Sequence, residues 1–361
     1  MSFSSSTALR ALCALVLAAC AAEAGDDSTG TDGEEIKAKT TIQMNDVSVL
    51  YPLAKTEAEL ASGYLTPASV GAAGPLLPEP VFDVIAQAVQ GIKGPPSFAD
   101  LHAVAFRLDP CFAQIGPVTS KTKCDHQLRI VFQGLNAGTT GSSKKAVATD
   151  NGFHAFYTLT QEELDEALKE IVALRLANST GNDLGALQVH PVMARQGLDG
   201  PMAKGLNAIV LKFAGAAKLT KLTGFVGVFA QHTSWNFAGA DVVQGKAKLQ
   251  VIPGLEGKPT QESLGLGTAP EKLISLTFMS TTTKDDVQPL LKATSQEDTA
   301  AARQKAFDSA LRIENPDLHS PNTVDCVSCH TAEIARQLWG RTSSTSTRRA
   351  TRMASCPTPT W

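Results

Sequence analysis

Leu128-Arg129-Ile130-Val131-Phe132-Gln133 sets Leu128, Ile130 and Phe132 against Arg129, Val131 and Gln133 in strict alternation, the period-two pattern of a strand. Gly152 to Leu159 reads as a second strand and runs directly into Thr160-Gln161-Glu162-Glu163. There the period changes. Thr160 and Glu163 make a capping box, and Leu164, Leu168, Ile171 and Leu174 follow at helical spacing. Strand and capped helix thus stand side by side in one stretch.

Outward from there the same two patterns recur. Leu219 to Phe229 is a strand candidate. So are Ile209, Leu211 and Phe213, then Ala247, Leu249 and Val251 between Lys246, Lys248 and Gln250, and then Ile274, Leu276 and Phe278. Pro80 in a first turn, then Val81, Val84, Ile85, Ala88 and Val89 before Gly91, predict a helix. Ser295-Gln296-Glu297-Asp298 is the expected cap of another, with Phe307, Ala310 and Leu311 on one face and Pro316 beyond its end. Asn136 to Lys145 and Ser179 to Gly185 read as exposed polar loops. Strands and helices do not alternate regularly, so the expected class is α+β rather than a doubly wound sheet. One main domain over 40–299 is expected, followed by a short helical segment at 300–341 and a Ser/Thr/Arg-rich disordered tail at 342–361.

A formal net charge of −3 argues against a nucleic-acid surface. The N-terminus points to export. A polar start with Arg10 precedes an apolar run from Ala11 to Ala19, too short to span a bilayer as a helix. It closes on Leu17-Ala18-Ala19-Cys20, which resembles the bacterial lipobox, a signal of residues 1–19 whose cysteine is acylated. That resemblance implies a lipid at Cys20, a membrane anchor without a span, and a place on the periplasmic or cell-surface side of a membrane in a bacterial cell envelope. An ordinary signal peptide with a coincidental Cys20 is the alternative. The acidic, Gly-containing stretch to residue 39 reads as a flexible tether and lacks the spacing of an EF-hand.

Near the other end stands Cys326-Val327-Ser328-Cys329-His330, a C-x-x-C-H pentapeptide. Two thiols three positions apart match the two vinyl groups on one porphyrin edge, and the next residue is an imidazole within reach of the iron. The motif resembles that of c-type cytochromes over Cys326 to Gly340. The resemblance implies one covalent haem c on Cys326 and Cys329, with His330 as proximal iron ligand. A surface disulfide or half a zinc site are the other readings. The stretch after His330 is too short for an independent class I cytochrome domain; it holds one amphipathic helix with Ile334, Leu338 and Trp339. Candidate sixth ligands are Met353, His319 and Met279, and an open position is the further alternative.

Of the other cysteines, Cys13 leaves with the signal, and Cys111 and Cys124 are expected to form a disulfide in an oxidising compartment, two reduced thiols being the alternative. Cys356 is left without a role. No G-x-S-x-G, H-E-x-x-H, Walker A or second C-x-x-C-H is present, and Gly265-Leu266-Gly267 lacks the third glycine of a dinucleotide fingerprint. His102, His126, His154, His190 and His232 are expected as satisfied core or surface histidines, so no catalytic residue is assigned. The expected function is electron transfer by a membrane-anchored monohaem c-type lipoprotein with an unidentified redox partner protein. A haem enzyme with an open iron and a non-haem lipoprotein of structural or ligand-binding role are the alternatives.

Overall fold

All the named strands pair antiparallel, beginning before the strand at Leu128, and one isolated parallel bridge joins Leu50 to Val189. In chain order the elements are α1 (Met44–Val47), β1 (Ser48–Leu50), α2 (Glu57–Ser62), the small hairpin β2 (Val70–Gly71) and β3 (Gly74–Pro75), and α3 (Glu79–Ala88). Then come β4 (Leu101–Ala113), β5 (Cys124–Thr140), β6 (Ser143–Ala148) and β7 (Asn151–Leu159). Three helices follow, α4 (Gln161–Asn178), α5 (Pro191–Gln196) and α6 (Pro201–Phe213). The chain closes through β8 (Leu219–Phe229), β9 (Thr233–Val243), β10 (Lys246–Leu249), β11 (Thr260–Leu264), β12 (Ile274–Ser275) and α7 (Ala300–Ile313). The computed structural model describes residues 42–89, 97–113, 124–140, 143–179, 189–229, 233–251, 259–264, 274–275, 299–313, 328 and 332. The signal, tether and tail assigned above lie outside them.

The main sheet has ten strands in the order β1-β4-β5-β7-β8-β9-β11-β12, with β6 added on β5 and β10 on β9. After Leu159 the chain leaves the sheet for three helices and returns at Leu219 to lie antiparallel beside the strand it left. Helices inserted between antiparallel neighbours, rather than parallel crossovers, make the fold α+β.

Register decides what each face carries, because directly opposed residues point the same way. Leu128 opposes Tyr157, Ile130 opposes Ala155, and Phe132 opposes Phe153, all buried. This inner face packs on Phe82 and Ile85 of α3, Leu164 and Ile171 of α4, and Leu206 and Val210 of α6 in one apolar cluster. Each such side chain withdrawn from water contributes about 1.5–3 kcal/mol. The Tyr157 hydroxyl donates to the carbonyl of Leu76 at 2.7 Å, and burial raises its pKa well above the usual phenol range. At Gly224 a Cβ would lie 2.5 Å from Phe153 Cδ1, so the ring sits flush on bare backbone.

Thr160 caps α4 as its sequence predicts: Glu163 N donates to Thr160 Oγ1 at 3.2 Å and Thr160 N donates back to Glu163 Oε2 at 3.0 Å. Three expectations need correction. Ile209 to Phe213 is the end of α6, not a strand; Pro201 opens the helix, and Met202, Leu206, Ile209, Val210 and Phe213 form its buried stripe. Asn136 to Lys145 is not a loop, because Asn136 pairs with Val147 and Thr140 with Ser143 in the β5–β6 hairpin. The C-terminal helix starts after Thr299, whose Oγ1 accepts from Ala302 N at 3.2 Å. Its buried face is Ala306, Ser309, Ala310 and Ile313, while Phe307 and Leu311 flank it. Ser295 to Asp298 and Leu276 to Phe278 lie outside the described residues.

Candidate functional site

Cys20, Met279, His319, Cys326, Cys329, His330 and Met353 lie outside the described residues. Two residues of the pentapeptide's neighbourhood do not. Ser328, at its centre, and Ala332, four positions on, are each helical and fully buried.

Cys111 lies on β4 and Cys124 on the neighbouring β5, where Ala113 is the residue opposite Cys124. A register shift between Asp109 and Phe112 brackets Cys111. Both cysteine side chains lie outside the described residues.

The outer face of the sheet carries a group of polar and aromatic residues. Across β4, β5, β7 and β8, Arg107 opposes Arg129, Arg129 opposes Phe156, and Phe156 opposes Lys221. One step along, Val131 opposes His154 and His154 opposes Thr223. The Arg129 guanidinium lies 5.7 Å from the centroid of the Phe156 ring, within reach of a cation–π attraction. Asp109, almost wholly buried, accepts from Arg107 Nε and lies 3.4 Å from Arg129 Nη2.

His154 sits within this group, its ring 6.5 Å from that of Phe156. Burial, with the Arg129 charge adding to it, pushes the His154 pKa down to about 3, so the imidazole is neutral at physiological pH. No described residue hydrogen-bonds its ring.

Other histidines are differently placed. His102 Nδ1 lies 2.8 Å from the Asp100 carbonyl, and its ring meets Tyr64 edge-on at 5.6 Å. His126 opposes Leu159 on the inner face, with Nδ1 2.5 Å from the Pro110 carbonyl. His190 is buried before α5, its backbone N–H donating to Leu50 at 2.9 Å. Further along the outer face Phe225 and Phe237 meet at 5.8 Å, and Trp235 Nε1 donates to Asp150 Oδ1 and Oδ2 at 3.2 and 3.0 Å. Burial raises the Asp150 pKa against the opposing effect of that indole.

Among the described residues no cluster of three or more His, Cys, Asp or Glu is placed to hold a metal ion, and no helix is long and apolar enough to cross a membrane. Comparison with protein-family models, curated proteins and solved structures finds no match to this chain.

The outer-face group went unread because strand boundaries do not tell which faces are covered. One signal was available: Phe156, an aromatic, falls on the opposite parity to Phe153, Ala155, Tyr157 and Leu159. A large ring there marks a strand covered on both sides.

Proposed function

We propose that this chain is a lipid-anchored monohaem c-type cytochrome-like protein that transfers electrons outside the cytoplasm of a bacterial cell. The carrying observation is the intact Cys326-Val327-Ser328-Cys329-His330 in a chain with an export signal. Burial of Ser328 and Ala332 supports it, because an attachment segment must keep water from the iron. Cys326 and Cys329 are the thioether anchors and His330 the proximal ligand. A haem bound there supplies one-electron chemistry. The chain's own part is to hold the group irreversibly, order its proximal imidazole and cover one side of it.

In a host with a working c-haem maturation system, the denatured protein is expected to keep haem stain on a gel. The Cys326→Ala/Cys329→Ala variant is expected to lose all of it. A colourless wild type overturns the assignment. Acylation at Cys20 is tested separately: Cys20→Ser is expected to move the protein from the membrane fraction to the soluble one, and a variant that stays with the membrane refutes the lipid anchor.

A further inference from the structure

We draw no further inference here: the strongest candidate, the side-chain cluster where the Asp150 carboxylate of the β6–β7 turn accepts from Trp235 Nε1 of β9 beside the bare backbone of Gly227, is marked out only by its raised carboxyl pKa, and nothing in the structure shows a ligand or partner that would use it.

Discussion

Asp46→Ala is expected to lower the stability of the protein by about 3–5 kcal/mol, the usual loss when one partner of a buried ion pair is removed. Asp46 is fully buried in the first turn of α1, and its Oδ1 accepts from Arg175 Nε of α4 at 2.8 Å. Its other oxygen accepts from the Gln43 backbone N–H at 2.8 Å. The substitution therefore takes the Asp46 carboxylate away from a guanidinium that is itself buried and removes an acceptor from the start of a helix. Denaturant titration should show a lower midpoint with an unchanged slope. Replacing both residues by apolar ones of similar volume, Asp46→Leu with Arg175→Met, is expected to recover most of the loss, because no charge is then left buried. An Asp46→Ala midpoint equal to wild type would remove the pair from the account of stability.

A second large effect is expected from Phe153→Ala, about 3–5 kcal/mol through lost transfer energy and a cavity that cannot close. Phe153 is fully buried at the middle of β7, opposite Phe132, with Phe82 of α3 edge-on at 5.0 Å. Beneath it on β8 stands Gly224, which has no side chain to move into the space. Phe153→Leu, which leaves a smaller hole, is expected to lose clearly less. Equal losses for the two, measured by the same titration, would show that the ring is not packed as described.

Local chemistry was legible where the determinant sits within a few residues. The alternation at Leu128 to Gln133, the capping box at Thr160 and the helix after Pro80 each appear in the fold, because a strand's side-chain period and a cap's hydrogen bonds are set by neighbours in sequence. Where two periods coincide the same reasoning misled. Ile209, Leu211 and Phe213 satisfy alternation, yet Ile209 and Phe213 are also four apart, and packing of the whole stripe from Met202 makes the segment helical. Asn136 to Lys145 is small and polar like a loop, but pairing between its two halves satisfies the backbone and makes a hairpin.

By itself the amino-acid sequence determined the α+β class, the capping box at Thr160, and the chemical expectation carried by Cys20, Cys326, Cys329 and His330, since all of these follow from residue type and short spacing. Only the tertiary structure decided that the named strands pair antiparallel, that Asp46 and Arg175 meet across 129 positions, and that His154 stands with Arg129 and Phe156 on the outer face. The reason is physical: register between strands and the partner of a buried charge depend on which distant surfaces exclude water together, and no local period carries that information.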